Sequence, residues 1–228
     1  MDLRADAARN RAAVVAAARE VFAEQGLDAP LDEIARRAGI GNATLYRRFP
    51  TRADLVAAVF ADRMAEDLDA VAAALADPDP WRGFATYVRH LTELQARDRG
   101  IADLVTMDVS RAPEIERLRV RAYDQLVELA ERARAAGALR PDVTAEDVAL
   151  VLMANAGLVE RTEGIAAAAS RRLVHLLLDG LRAEGATEGP PPPSMRRVRV
   201  AMRRLAERRL GRGRGRRPAR TTRERREP

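Results

Sequence analysis

The chain has 228 residues, 47% hydrophobic and 4% aromatic, enough apolar mass to bury a real core in the part that folds. It contains no Cys, which excludes disulfides, zinc ribbons and thiol catalysis. All 40 basic residues are Arg and the formal charge is +6; residues 194–228 hold 15 Arg against three acids and the remainder 25 Arg against 31, so the basic signature belongs to the tail.

Ala and Arg dominate and β-branched runs are scarce, which favours helix over sheet. The first residues, Met1-Asp2-Leu3-Arg4-Ala5-Asp6, lack the apolar run of a signal peptide, and no stretch of 18 apolar residues offers a membrane span. A cytoplasmic protein is expected.

Along the chain, residues 12–25 read as a helix, with Val14, Val15, Ala18, Val21 and Phe22 on one face of a 3.6-residue repeat. Gly26 ends it. Pro30 opens a short helix, Leu31 to Ala38, with Leu31, Ile34, Ala35 and Ala38 inward. Gly39-Ile40-Gly41 makes a tight turn, Asn42 to Phe49 forms a third helix, and Pro50 stops it. Thr51-Arg52-Ala53-Asp54 is a capping box opening a long helix that ends near Asp77-Pro78-Asp79-Pro80. Further helices are expected at 81–97, from Ile101 to about Val109, and at 113–136, 145–161 and 166–183, with no convincing strand. Gly185 to Pro193 is a semi-rigid linker with four consecutive prolines. Beyond it, Ser194 to Leu210 can form a basic helix with Met195, Val198, Met202 and Leu205 on one side, able to lie on DNA or an anionic membrane. The Gly/Arg run from Gly211 reads as disordered.

The decisive segment is Leu31 to Phe49. Two short helices around a glycine turn are what a helix-turn-helix needs for its second helix to enter a major groove. With Leu45 and Phe49 inward, Ala43 and Arg47 point the opposite way, flanked by Thr44 and Tyr46. A small residue permits close approach, hydroxyls bond phosphate oxygens, and Arg reaches a guanine edge. The alternative is a merely solvated charged face.

The run Leu31-Asp32-Glu33-Ile34-Ala35-Arg36-Arg37-Ala38-Gly39-Ile40-Gly41-Asn42-Ala43-Thr44-Leu45-Tyr46-Arg47-Arg48-Phe49-Pro50-Thr51-Arg52 resembles the DNA-binding signature of TetR-type repressors. The preceding Phe22-Ala23-Glu24-Gln25-Gly26 is similar to the end of that family's first helix. The specific resemblance covers about residues 9 to 60. It implies that Asn42, Ala43, Thr44, Tyr46 and Arg47 face DNA, with Thr44 and Tyr46 on phosphates. Arg52 stands where the family often has lysine and would keep a phosphate contact. Gly41 departs from the usual cap serine, a change that costs only a few tenths of a kcal/mol. Arg4, Arg9 and Arg11, placed ahead of the first helix, could reach the DNA backbone or fray in solvent.

The family's last two body helices form a four-helix bundle across a two-fold axis. Val148, Leu152 and Leu158 with the Leu173, Leu176, Leu177 and Leu181 stripe fit that interface, although one stripe equally closes an intramolecular core. Trp81, Phe84, Tyr87, His90, Met107, Tyr123 and Met153 are the candidates for an apolar effector pocket, core packing being the alternative. Two histidines, no Cys, no phosphate loop and no hydrolase motif point away from catalysis; no cofactor or metal is expected.

The expectation is therefore an all-α regulator: a helix-turn-helix domain at 1–50, an effector-binding and dimerisation body at 51–184, a linker at 185–193 and an Arg-rich tail at 194–228. Its partners would be double-stranded DNA, a second copy and a small-molecule effector of unknown identity. The competing class is a nonspecific nucleic-acid packaging protein driven by the tail.

Overall fold

Ala- and Arg-rich segments propagate helix until a Gly or Pro stops them, and that rule sets the architecture. The structure, a computed structural model, describes residues 3–106, 113–162, 164–187 and 189–213, with side chains from 9 to 204 among them. Among the described residues are ten helices: α1 Leu3–Gln25, α2 Leu31–Arg37, α3 Asn42–Arg48, α4 Arg52–Leu75 and α5 Pro80–Arg97, followed by α6 Arg99–Thr106, α7 Pro113–Ala135, α8 Ala145–Arg161, α9 Ala166–Gly180 and α10 Met195–Gly213. Strand-like pairing among them is confined to one antiparallel bridge, Leu139 with Arg182.

Several boundaries differ from the sequence reading. The first helix starts at Leu3, not near residue 12, because its apolar stripe begins late while its helix-forming residues do not. Arg4, Arg9 and Arg11 are therefore helical rather than a leading arm. At the other end, α9 stops at Gly180: Arg140 N donates to Leu181 O and Ala183 N to Ala138 O, so the next residues pair with the α7–α8 turn.

Helix α4 ties two hydrophobic clusters together. Its first half contributes Leu55, Val59, Phe60 and Met64 to a cluster with Val14, Phe22, Ile34, Leu45 and Phe49 from α1 to α3, together with Ile101, Leu104 and Ile115 from α6 and α7. Its second half contributes Val71 and Ala74 to a cluster with Phe84, Val88, Leu129, Val148, Val174 and Leu178. Each large side chain fully buried in this way contributes about 1.5–3 kcal/mol. Inside the second region sits a polar knot: Asn155 Nδ2 donates to Gln95 Oε1 at 2.9 Å and to Thr92 O at 3.3 Å, while Gln95 Nε2 donates to Leu152 O at 3.2 Å.

The body helices correct the interface assignment. Val148 and Leu152 are buried within the chain, so they belong to its own core and not to an exposed face. On α9 the inward stripe is Ser170, Val174 and Leu178. Leu177 and Leu181 lean on that core, Leu158 and Leu173 are half-buried, and Leu176 is 51% exposed. Leu150 and Ile165 add further exposed apolar surface on α8 and just before α9.

The basic tail helix is also reassigned. Val198 and Met202 of α10 are buried, and the helix packs against α8, so its apolar side faces the protein body rather than DNA or a membrane. Helix continues to Gly213, through the start of the Gly/Arg run. The side chain of Leu205 and all of residues 214–228 lie outside the described residues.

Candidate nucleic-acid interface and ligand cavity

The turn between α2 and α3 is fixed by backbone geometry. Gly39 adopts φ +67, Gly39 N donates to Arg36 O and Ile40 N to Ala35 O, the paired bonds of a glycine-capped helix end. Gly41 then caps α3 in extended conformation without a side-chain bond, its carbonyl accepting from Thr44 N and Leu45 N. Asp32 and Glu33 lie in the first turn of α2 and Arg36 and Arg37 in the last, each sign matching the helix dipole.

Helix α3 is held by Leu45 and Phe49, both buried. Arg11 of α1 stacks its guanidinium over the Phe49 ring at 5.6 Å. On the opposite side Asn42, Ala43 and Arg47 are exposed, Thr44 is half-buried, and Tyr46 is 48% exposed. Asn42 also donates from Nδ2 to Asp32 Oδ1 at 2.9 Å, fastening α3 to α2. Arg37 joins Glu33 to Glu24 of α1, with Nη2 at 2.6 Å from Glu24 Oε2. Hydrogen bonds from Arg36 and Arg37 hold the Glu33 carboxyl down at about 2. These exposed pairs orient α2 more than they stabilise it.

Arg52 has a structural partner that its sequence position did not reveal. Its Nη1 donates to Leu27 O and Ala29 O, both at 2.7 Å, and the side chain is half-buried. Burial lowers its pKa below the ordinary arginine value. Thr51 and Asp54 form the expected capping box and start α4 directly under this contact.

The 26–30 loop is gripped from its other side by α6. Leu27 N donates to Asp103 Oδ2 at 2.9 Å, and Asp103 is itself buried. Gly26 is required here twice over: φ is +87, and a Cβ would lie 2.5 Å from Asp103 Oδ2. Loop 26–30, which launches α2, is thus clamped between α4 and α6.

Helix α6 borders a cavity of ≈ 130 Å³ through Ile101, Leu104 and Val105. Of the sequence candidates for a pocket, Tyr87 and Tyr123 line it. Trp81 does not: its ring lies tilted against Phe84 and carries the Arg182 guanidinium at 4.4 Å over its face. Phe84 is core, and Met153 is half-buried away from the cavity wall. His90 stacks on Tyr87 behind the wall, and Met107 lies outside the described residues.

Sequence periodicity missed Asp67, a buried acid on α4 that lines the cavity. Tyr87 Oη donates to its Oδ2 at 3.0 Å, and its Oδ1 has no hydrogen-bond partner. Burial, with the nearby Asp67 carboxylate, pushes the Tyr87 phenol above its ordinary value. The phenol of Tyr123 is also raised, by burial first and then by Glu146.

Residues 14–59 match the family model of the bacterial regulatory proteins of the tetR family, and residues 79–183 match that of the SbtR-like transcriptional regulator C-terminal domain. TtgW of Pseudomonas putida, described as an uncharacterized HTH-type transcriptional regulator, is 42% identical over 60 residues, 26% of this chain and 45% of that protein. The match thus spans less than half of that relative. The TetR transcriptional regulator SCO0520 of Streptomyces coelicolor is 34% identical, with 77% of this chain and 99% of that one covered and a TM-score of 0.50. A TetR-family regulator from Agrobacterium tumefaciens shares the fold with a TM-score of 0.58 at 20% identity, over 78% of this chain and 100% of that one.

Proposed function

The chain belongs to the TetR family of DNA-binding transcriptional regulators, and on that premise we propose that it is a ligand-responsive repressor acting as a homodimer on a palindromic operator. The observation that carries this reading is the exposed side of α3: Tyr46 and Arg47 project from a helix whose Leu45 and Phe49 are locked inward. Asn42, Ala43, Thr44, Tyr46 and Arg47 form the DNA-reading face, with Arg47 on base edges and the hydroxyls of Thr44 and Tyr46 on phosphates. Arg52 serves first as a positioning residue for the loop ahead of α2, and only through that loop for the DNA contact. Residues 1–50 read DNA, 51–184 bind effector and partner, 185–193 link, and 194–228 form the basic extension. The site of action is the cytoplasm; no helix among the described residues is long and apolar enough to cross a membrane.

Dimerisation uses the outward residues of α8 and α9. Leu158, Leu173 and Leu176 supply apolar surface there, joined by Leu150 and Ile165. A two-fold axis through such a face places two α3 helices on half-sites one helical turn, or a multiple, apart. The effector acts through α6, one side of which borders the cavity while Asp103 holds the loop that launches α2. A ligand that binds more tightly when the reading heads are spaced away from the half-sites shifts the balance toward that state by its difference in affinity for the two. The relatives are described as transcriptional regulators, and the reading gives the chain no catalytic role.

The test is operator binding after genomic footprinting. Tyr46→Ala with Arg47→Ala is expected to weaken the footprinted site about 10–100-fold, as for lost base and phosphate contacts, with unfolding unchanged to within about 0.5 kcal/mol. Undiminished operator affinity in that double variant would place the DNA contacts elsewhere.

A further inference from the structure

Both family models stop short of α10, the second ending at residue 183, so this helix is an addition to the body they describe. Its exposed residues are largely arginines: Arg196, Arg197, Arg199, Arg203 and Arg204. It nonetheless buries Val198 and Met202, and Met195, Arg199 and Met202 line the same cavity as Asp67, Tyr87 and Tyr123. Methionine is well suited to such a wall because its unbranched thioether adapts to the shape it meets.

Among the described lining residues, Asp67 of α4 carries an unmet polar demand. Asp67 is 8% exposed, its Oδ2 is satisfied by Tyr87, and its Oδ1 has no hydrogen-bond partner. His90 Nε2 stands 3.6 Å from that oxygen, beyond hydrogen-bonding distance. A buried acceptor left in this state costs free energy that an incoming donor recovers. The charged side chains of the lining are Arg63, Arg119 and Arg199 against Asp67 and Glu116, so the field does not concentrate cations. The cavity, ≈ 130 Å³, is on the scale that holds a single aromatic ring, about 150 Å³.

We infer that the cavity binds a small apolar molecule bearing a hydroxyl group and no positive charge, that the Asp67 carboxylate accepts the hydroxyl, and that Met195 and Met202 of α10 close the apolar end. This rests on the reading of the cavity as the effector site and adds its ligand class and its second wall. It also makes α10, the first segment of the Arg-rich tail, part of the ligand-sensing structure.

The experiment uses the full chain labelled in its methionine methyl groups, titrated with p-cresol and, separately, with its isostere p-xylene. p-Cresol is expected to shift the Met64, Met195 and Met202 signals saturably and to leave Met153 unmoved, binding about ten-fold more tightly than p-xylene. Asp67→Asn keeps an acceptor for Tyr87 but replaces a charge-assisted bond to the ligand with a neutral one, and is expected to weaken p-cresol about three-fold or more while leaving p-xylene binding as it was. Equal binding of the two probes, unchanged p-cresol affinity in Asp67→Asn, or tighter binding of 4-methylbenzylammonium overturns the Asp67 assignment. Shifts at Met64 with Met195 and Met202 silent remove α10 from the site while leaving the cavity as the effector site. No shift at any of the three overturns the ligand class, and release of the operator by another molecule that shifts Met64 would then leave the effector reading standing.

Discussion

The reading head and the body place their polar chemistry on opposite sides of the same kind of helix. On α3 the apolar residues Leu45 and Phe49 are inside and the functional groups Asn42, Tyr46 and Arg47 are outside. In the body the polar groups with most to do are inside: Asp67 at the cavity, Asp103 under the 26–30 loop, and the Thr92, Gln95 and Asn155 knot. A DNA-binding face must be presented to a partner too large to enter the protein, whereas a small ligand must be surrounded. Side chains that serve the first are exposed, and those that serve the second offset the cost of burial with hydrogen bonds.

The largest test of that division is Phe84→Ala. Phe84 is fully buried between α5 and its neighbours, so its truncation is expected to cost about 3–5 kcal/mol in denaturant unfolding. A loss below about 1 kcal/mol would return Phe84 to the pocket lining. Next comes Leu176→Glu, which charges an exposed position on α9. Sedimentation is expected to show dimer association weakened by about 2 kcal/mol or more, with the monomer's unfolding little changed. A dimer of unaltered strength would move the interface off α9.

At the junction of the two regions, Gly26→Ala forces a Cβ against Asp103 at a positive φ. It is expected to cost about 1–3 kcal/mol of stability and to weaken operator binding beyond what unfolding explains. Normal DNA binding in a folded Gly26→Ala protein would uncouple loop 26–30 from the reading head. The smallest effect belongs to the surface of α2. Glu33 has its carboxyl lowered from 4.5 to about 2, so its contribution is fully present above pH 4.5 and is lost as pH falls through 2. Carboxyl NMR titration should find Glu33 still ionised at about pH 3.5, between those two values; protonation near 4.5 would mean that Arg36 and Arg37 do not hold it.

These contrasts also explain what could be read from the sequence. Pro30, the Gly39-Ile40-Gly41 turn, Pro50 and the Thr51–Asp54 box are local signals, and the helices they delimit lie within about a residue of expectation. The inward pair of α3 follows from the same short-range pattern. The start of α1 was not legible, because a run of helix formers carries no stop signal. On α9, Leu173, Val174, Leu176, Leu177 and Leu178 give apolar residues to both sides, so periodicity alone cannot say which faces the core; the same holds for α8, where Val148 and Leu152 are buried. Asp67 and Asp103 were invisible because an isolated acid in a helical pattern looks like surface until a partner 20 or 76 residues away in sequence is seen beside it. In the sequence Arg52 offers only its charge, while its two carbonyl partners come from a loop more than 20 residues upstream.

Hydroxyl-radical footprinting, comparing the full chain with the chain lacking residues 194–228, bears most directly on the claim that α3 reads DNA. Two protected half-sites related by a dyad, kept in position without the tail and erased by Tyr46→Ala with Arg47→Ala, are the predicted result. Uniform protection that vanishes with the tail would contradict it and identify a protein that coats nucleic acid without reading it.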